Sequence, residues 1–143
     1  MENKQVVIVT GGSMGIGRAI ADRFAKDGAS VVIADVAGAE KAAAEISATG
    51  ASAIGVTCDV SDVGSCEAMA AEAMQAFGQI DTLVNNAGLY STLNLTEFEK
   101  ITPEQWQRVL SVNVMGQALV TAAVMPMMKA QGSGVVVNMS SGT

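Results

Sequence analysis

The chain has 143 residues, of which 50% are apolar and 15% are charged, with a mean hydropathy of +0.37. This composition excludes a disordered chain, and the length is that of about one domain. Fourteen acidic residues against eight basic ones give a net charge of −6, which disfavours nucleic acid and anionic membrane surfaces as partners. No apolar run approaches the roughly 20 residues that a membrane-spanning helix needs, so we expect no membrane span.

Several kinds of site are excluded by residue type. The chain has no histidine, which rules out histidine-based triads and imidazole acid–base catalysis within it. Cys58 and Cys66 show no metal-ligand spacing, so we expect no metal site. The polar start Met-Glu-Asn-Lys-Gln is not typical of a signal peptide, and we expect a reduced, cytoplasmic setting.

Short β-branched runs alternate with Ala-rich stretches along the chain. The predicted strands cover residues 6–10, 31–34, 53–57, 82–84 and 135–139. The predicted helices cover residues 15–27, 39–49, 61–77 and 103–129. The strands are nearly all apolar, which is typical of parallel strands covered on both faces. We therefore predict an α/β, doubly wound, Rossmann-like parallel sheet of about five strands, forming a single domain over residues 1–143.

The fourth predicted helix has a clear start. Thr102 is the expected N-cap, Pro103 the first helical residue, and Gln105 the capping-box partner. Residues 109–125 are apolar on nearly all sides, which predicts burial against the sheet and is consistent with a partner subunit.

The first predicted strand runs into a glycine-rich turn at residues 10–17, Thr-Gly-Gly-Ser-Met-Gly-Ile-Gly, and then into a helix. Glycines allow a tight turn and let the backbone approach a pyrophosphate, which then binds free N–H groups at the helix start. The predicted cofactor-binding residues of this loop are Gly11, Ser13, Met14, Gly15, Ile16 and Gly17.

Asp35 lies at the end of the second predicted strand, eighteen residues after Gly17, where a carboxylate can bind an adenosine ribose. A 2′-phosphate about 4 Å away would meet a repulsion of roughly 4 kcal/mol at an effective dielectric near 20. Met14 offers no compensating base, so the sequence favours NAD over NADP. The alternative is an ordinary strand-to-helix turn, with Asp35 merely ending a strand.

The glycine turn resembles the Thr-Gly-x-x-x-Gly-x-Gly motif of the short-chain dehydrogenase/reductase family, and four further segments resemble that family in order. The first three of them are Asp59-Val60, Asn85-Asn86-Ala87-Gly88 and the Val-Asn-x-x-Gly stretch at residues 112–116. The last, Val-Asn-Met-Ser-Ser at residues 137–141, resembles the strand end that carries the catalytic serine.

The resemblance implies a role for each segment. Asp59 and Val60 would contact the adenine ring, while Asn86, Ala87 and Gly88 would lie along the cofactor. Asn113 would be the active-site asparagine that holds a water, and Ser141 the serine that orients the substrate oxygen.

Each segment also has a simpler interpretation. The asparagines could form a polar turn with the following glycine. Asp59 could be a helix N-cap, since a helix is predicted from Ser61. Ser140 and Ser141 could be loop serines.

The family's catalytic tyrosine and lysine, in a Tyr-x-x-x-Lys segment, have no counterpart in these 143 residues. Tyr90 is the only tyrosine, and Asn94 stands four residues after it. Ser141 cannot replace the base, because an unassisted hydroxyl is a poor base near neutral pH. We expect negligible turnover from this chain, an exposed strand edge that favours self-association, and a longer enzyme of which these residues are the first part.

The sequence therefore predicts the cofactor-binding part of an NAD-dependent oxidoreductase acting on a small-molecule secondary alcohol or ketone, and a homo-oligomer when full length. Residues 89–100 are the candidate substrate-pocket segment. One alternative is a non-catalytic NAD-binding module. A methyltransferase that binds S-adenosylmethionine shares the glycine turn, but it explains neither the Asn-Asn-Ala-Gly turn nor the Val-Asn helix.

Overall fold

The architecture was taken from a computed structural model that describes residues 4–90, 93–94 and 96–141. Five strands form one parallel sheet in the order β3-β2-β1-β4-β5. The strands are β1 (Val6–Thr10), β2 (Ser30–Asp35), β3 (Ser52–Thr57), β4 (Thr82–Asn85) and β5 (Val135–Asn138). The predicted doubly wound parallel sheet is confirmed, with strand bounds that differ from prediction by one residue at most.

Helices cover both faces of the sheet. They are α1 (Gly15–Lys26), α2 (Ala39–Ser47), α3 (Val63–Phe77), α4 (Pro103–Leu110) and α5 (Gly116–Gln131). Val7 and Val9 of β1 pack with α1 and α2, whereas Val6 and Ile8 pack with α3 and α5. Every residue of β1 is buried, which explains why its sequence is continuously apolar up to Thr10.

The fourth predicted helix begins as expected but is not uniform. The Thr102 side chain accepts a hydrogen bond from the Gln105 N–H, and the Gln105 side chain accepts one from the Thr102 N–H, completing the capping box. A five-residue π-helical turn, Ser111–Met115, then separates α4 from α5. A π turn is invisible to hydrophobic periodicity, so the sequence predicted one unbroken α-helix.

Burial of this helical run is narrower than its composition suggested. Val120, Val124 and Met128 form a buried stripe against the sheet, while Leu110 and Met115 are about half exposed. The predicted burial against the sheet is therefore confirmed for this one stripe, and cover of the remaining apolar residues by a partner subunit stays a prediction. The sheet covers one stripe of a helix, and no second layer within the described residues covers the opposite side.

The helical run Pro103–Gln131 is also long and apolar enough to cross a membrane, with a mean hydropathy of 1.5 over an 18-residue window. The expectation that no stretch approaches this length was wrong. Length and composition do not show insertion, because core helices of water-soluble proteins satisfy the same criterion. Here the stripe facing the sheet packs into the protein core.

The two outer strands of the sheet differ in cover. Most of β3 is half-buried beneath α2, which contacts it along its length. In β5, by contrast, Val135 is 55% exposed and Val137 is 41% exposed. That the β5 edge drives self-association stays a prediction.

Candidate cofactor and active site

The glycine-rich turn after β1 is closely packed. Gly11 has a φ of +63°, which favours glycine, and its N–H donates to the Ala34 carbonyl at the end of β2. A Cβ on Gly17 would overlap the Gly11 carbonyl oxygen and stand 2.5 Å from Nδ2 of Asn86. Glycines at these two positions allow α1 to start directly against the carboxyl ends of β1 and β4.

The outer side of the same turn is open. Gly15 has a φ of +58°, and nothing lies within 4 Å of the position that its Cβ would take. Met14, the N-cap of α1, makes no side-chain hydrogen bond to the helix, so the first-turn N–H groups have no side-chain cap. The side chains of Met14 and Ile16 are largely exposed. This open, uncapped helix start fits a pyrophosphate group.

Asp35 is fixed beside this turn. Its Oδ2 accepts hydrogen bonds from Oγ of Ser13 at 2.6 Å and from the Ser13 N–H at 3.1 Å. Sequence reasoning placed both residues at the cofactor but did not predict this bond. The bond links the carboxyl end of β2 to the phosphate loop, and the other carboxylate oxygen remains to accept from a ribose hydroxyl.

The Asn-Asn-Ala-Gly segment is attached to the end of β1. Oγ1 of Thr10 accepts from the N–H groups of Asn86 and Ala87, both at 3.0 Å. Nδ2 of Asn86 donates to the carbonyl oxygens of Thr10 and Gly11. We call this set of bonds the β1–β4 junction. It is more than the polar turn of the simpler interpretation, because its partners lie on another strand.

Asn113 braces the chain just after Gly88. Its Oδ1 accepts from the Leu89 N–H at 2.7 Å, and its Nδ2 donates to the Leu89 carbonyl at 3.0 Å. Both ends of the side-chain amide are therefore occupied by one backbone residue. Asn113 lies inside the π-helical turn, a feature frequently found at functional sites.

The segment after β3 contradicts one alternative for Asp59. The N-cap of α3 is Asp62, whose Oδ1 accepts from the Ser65 N–H, and the helix begins at Val63 rather than at Ser61. Asp59 instead accepts from both the N–H and the hydroxyl of Ser61. The helix N-cap interpretation of Asp59 was therefore wrong.

Val60 contributes to the core through its side chain. It is 6% exposed, and its Cγ2 lies 2.7 Å from the position that a Cβ on Gly116 would take. Close packing against the start of α5 therefore commits the Val60 side chain to the core, so only its backbone remains for any other contact.

A cavity of about 500 Å³ lies beside Asp59. Val36, Leu89 and Val112 line it, and Glu104 and Arg108 also border it. Apolar walls next to a carboxylate acceptor fit an adenine ring and its amino group. Val36 and Val112 are residues that sequence reasoning did not assign to the cofactor. Their position directly after β2 and directly before Asn113 was the available signal.

Ser141 lies exposed, three residues beyond the end of β5. The strand end that carries it is bonded to β4, because Nδ2 of Asn85 donates to Oδ1 of Asn138 at 2.9 Å. Nε2 of Gln117 donates to the Met139 carbonyl at 3.0 Å. We call these bonds, with that of Asn85 to Thr121, the β4–β5 junction. Oδ1 of Asn85 is buried and has no hydrogen-bond partner among the described residues.

The two thiols, Cys58 just after β3 and Cys66 in α3, lie in the protein core. Cys58 is 2% exposed and Cys66 is 0% exposed, and burial raises the pKa of both, that of Cys66 to about 12. Thiols so protonated are poor nucleophiles at neutral pH. Over the described ranges, no group of three or more His, Cys, Asp or Glu residues is arranged to hold a metal ion.

The predicted site residues thus converge on one edge of the sheet, because all five parallel strands end there. A glycine turn at a helix start, an acid at the end of β2 and a cavity beside Asp59 beyond β3 define a dinucleotide-binding fold. The chain belongs to the short chain dehydrogenase family, whose model matches residues 5–143. This family generally uses NAD or NADP, and its members are oxidoreductases.

Three relatives illustrate the similarity. The chain is 41% identical over 140 residues to an uncharacterised oxidoreductase of Methylorubrum extorquens, covering 96% of this chain and 54% of the relative. It is 39% identical over 141 residues to the levodione reductase of Leifsonia aquatica (96% and 52%). Identity to glucose 1-dehydrogenase 2 of Bacillus subtilis is also 39% over 141 residues (96% and 54%). The chain therefore spans about half the length of the curated relatives it matches.

Proposed function

We propose that these residues form the NAD-binding part of an oxidoreductase that interconverts a secondary alcohol and a ketone, with NAD preferred over NADP. The observation that carries the proposal is Asp35, held against the glycine turn by Ser13. A carboxylate there accepts from a ribose 2′-hydroxyl but repels a 2′-phosphate. Arg18, a nearby base, is bonded to Asp22 and Glu45 and does not neutralise Asp35.

Each segment at the carboxyl ends of the strands is proposed to bind a different part of the cofactor. The pyrophosphate lies on the loop from Gly11 to Gly17, where Ser13, Met14, Gly15 and Ile16 supply backbone and exposed surface. Adenine lies at Asp59 and Val60. Asn86, Ala87 and Gly88 lie along the cofactor toward the nicotinamide, which supplies or accepts a hydride when bound.

For catalysis, we propose that Ser141 orients the substrate oxygen by a hydrogen bond. Asn113 acts as a positioning residue, because its amide fixes Leu89 and hence the segment between the cofactor and the loop that follows. The family's tyrosine and lysine have no counterpart in these 143 residues, so we expect cofactor binding without appreciable turnover from them alone.

The remaining assignments concern the whole protein. The exposed apolar side of the helical run from α4 to α5 is where we propose that copies of the full-length protein associate. We propose a cytoplasmic location, a small-molecule substrate, and no nucleic acid, membrane or metal as partner. Residues 1–143 would then be one incomplete dinucleotide-binding domain.

The test is the cofactor preference of the Asp35→Ala variant. Loss of a charge-assisted hydrogen bond to the ribose should weaken NADH binding by about tenfold or more, and the gap between NADH and NADPH should narrow. Dissociation constants come from the enhancement of NADH and NADPH fluorescence on binding. Asp35→Asn keeps an acceptor without the charge, and it should gain affinity for NADPH.

A matched control is Asp22→Ala, which removes an exposed carboxylate on α1 that pairs with Arg18. Its cofactor preference should equal that of the unchanged protein. If Asp35→Ala and Asp22→Ala give the same ratio of NADH to NADPH affinity, Asp35 does not contact the ribose and the preference for NAD must be withdrawn.

A further inference from the structure

A second cavity of about 520 Å³ lies between α4 and the segment that follows Leu89. Its walls come from the segment after Gly88 and from α4 with the residues just before it. The apolar side chains that line it are Tyr90, Leu93, Ile101, Trp106 and Val109. We call this cavity the Trp106 cleft. Its size lies within the range of small-molecule sites.

Aromatic side chains are concentrated at this cleft. The chain has one Trp, one Tyr and three Phe. Tyr90 is 89% exposed, Phe98 is 76% exposed and Trp106 is 46% exposed. Phe98 packs edge-on against Trp106, with ring centroids 6.3 Å apart and an interplanar angle of 75°, which holds the indole in place. Exposed aromatic surface grouped around a concave site is typical of ligand binding.

No charged residue lines the cleft in the part of the chain that the structure describes. Apart from its apolar walls, it is lined by Asn94, Thr96 and Gln105, which are neutral. By contrast, the cavity beside Asp59 is bordered by Glu104 and Arg108. A third cavity, lined by residues of α1 and α2, also has several Lys, Arg, Asp and Glu side chains in its walls. Without a cation, the described lining cannot compensate a carboxylate or phosphate on the ligand.

The position of the cleft connects it with the reaction. Leu89 is held by Asn113 on one side of the cofactor cavity, and Tyr90, the next residue, already lines the cleft. The cleft is therefore continuous along the chain with the segment after Gly88, which the proposed function lays along the cofactor toward the nicotinamide.

We propose that the Trp106 cleft binds the hydrophobic body of the substrate, and that the substrate is a neutral alicyclic or aromatic ketone or secondary alcohol. Carboxylates and phosphate esters are excluded, since the described lining offers them no countercharge. Polyols are disfavoured, because only Asn94, Thr96 and Gln105 among the mostly apolar lining can form hydrogen bonds with them. The inference rests on the proposed function, because only that function makes the ligand an alcohol or a ketone.

A sequence signal for the cleft exists in hindsight. Ile101 and Trp106 occupy the N′ and N4 positions around the capped start of α4, which are the positions of a hydrophobic staple. In a hydrophobic staple, the N′ and N4 side chains usually pack against each other. Here both side chains also line the cleft, and the neighbouring Tyr90 is too exposed for its position to be explained by packing alone.

Trp106 is the only tryptophan, so its fluorescence reports directly on the cleft. The experiment titrates the chain with 1-decalone, a neutral saturated bicyclic ketone, with and without saturating NADH, while excitation at the indole band follows Trp106. We expect a saturable change in the emission with decalone. Erythritol and pyruvate, a polyol and a carboxylate of similar or smaller size, should leave the emission unchanged.

Variants of exposed residues separate binding from folding. Tyr90→Ser should weaken decalone binding by about tenfold, whereas Tyr90→Phe should retain it, because the ring and not the hydroxyl forms the wall. Leu110→Ser removes a half-exposed apolar side chain from the same helix, outside the cleft, and should bind decalone as the unchanged chain does.

The outcomes distinguish this inference from the proposed function. Binding of NADH without any decalone response overturns the substrate class and leaves the cofactor assignment standing. A decalone response without NADH binding overturns the proposed function and, with it, the identification of the ligand as substrate. An emission change that follows protein concentration rather than decalone concentration means that a second copy covers the cleft, which also overturns the inference.

Discussion

The two junctions on either side of β4 are built from neighbouring asparagines but differ in completeness. In the β1–β4 junction, the Thr10 hydroxyl and the Asn86 amide satisfy backbone groups on both sides. In the β4–β5 junction, Nδ2 of Asn85 has three acceptors, while its buried Oδ1 has no partner among the described residues. Successive residues of a strand point to opposite faces, so one asparagine serves each junction.

The two junctions also differ in how deeply their surroundings are buried. Thr10 is 1% exposed and lies between buried strands, whereas the β5 valines are partly exposed. Cofactor binding is thus assigned to a closed part of the sheet, and the serine to an open part. The contrast shows that the carboxyl ends of β1 and β4 are enclosed by neighbouring segments, whereas the described residues leave the valines of β5 partly uncovered.

The largest effect is expected from a methyl group inside the β1–β4 junction. Gly17→Ala places a Cβ against the Gly11 carbonyl and Asn86, so backbone must shift, and we expect a loss of stability of about 3 kcal/mol. Gly15→Ala meets open space and strains only its positive φ, at about 1 kcal/mol. Urea unfolding of both variants measures the two losses.

NADH affinity should invert this order among variants that still fold. Gly15→Ala occupies the groove assigned to the pyrophosphate and should weaken NADH binding by more than about tenfold. Equal stability losses for the two glycine variants would contradict the closed packing at Gly17. Unchanged NADH affinity in Gly15→Ala would contradict the phosphate-loop assignment.

A matched pair of threonine variants compares the junctions directly. Thr10→Val leaves the N–H groups of Asn86 and Ala87 without their acceptor, which should cost about 3 kcal/mol. Thr121→Val removes one of three acceptors from Asn85 and should cost about 1 kcal/mol or less. Thermal and urea unfolding provide the comparison. Similar losses would show that the two junctions are equally coupled to folding.

A smaller effect is expected from the thiols, which belong to neither junction. The pKa of Cys66 is raised by burial from its ordinary value of 9.0 to about 12. As the pH rises from 9 toward 12, the unfolded chain releases this proton while the folded chain keeps it. The contribution of Cys66 to the free energy of unfolding is therefore fully present below pH 9. It falls above pH 9, by at most about 1.4 kcal/mol per pH unit.

Cys66→Ala isolates that contribution. The difference in unfolding free energy between the unchanged chain and this variant should be constant from pH 7 to about pH 8.5 and should shrink at higher pH. The two proteins share all their other ionisable groups, so the contributions of those groups cancel in the difference. A difference independent of pH up to pH 10 would show that Cys66 is as accessible to solvent in the folded chain as in the unfolded one.

Much of the candidate site at the carboxyl ends of the strands could be predicted from sequence, because it depends on the local order of residues. A continuous apolar run such as β1, followed by glycines and a helix, leaves few arrangements, and Asp35 must then lie at the carboxyl end of the next strand. The capping box at Thr102 is equally local. The Ser13–Asp35 bond was not predictable in the same way, because it joins the glycine turn to the last residue of β2, and only the parallel pairing of β1 and β2 brings them together.

The sequence was least informative where burial depends on which element packs against a helix. The composition of the apolar stretch in α5 does not reveal that the sheet covers only one stripe of this helix. The π-helical turn at Asn113 depends on where the helix meets Leu89 and Val60, which periodicity does not record. The local pattern does not mark Trp106 as part of a cleft, because the segment that carries Tyr90 forms the other wall.

The amino-acid sequence by itself determined the order of strands and helices, the glycine turn and the acid after β2, since backbone freedom at glycine and hydrophobic periodicity act over short distances. Tertiary structure decided which hydroxyl bonds which amide across β1 and β4, which asparagine oxygen is left unpaired, and which apolar residues form a cleft. Those outcomes depend on distances between segments remote in the chain, and side-chain contacts are fixed only when the sheet has assembled.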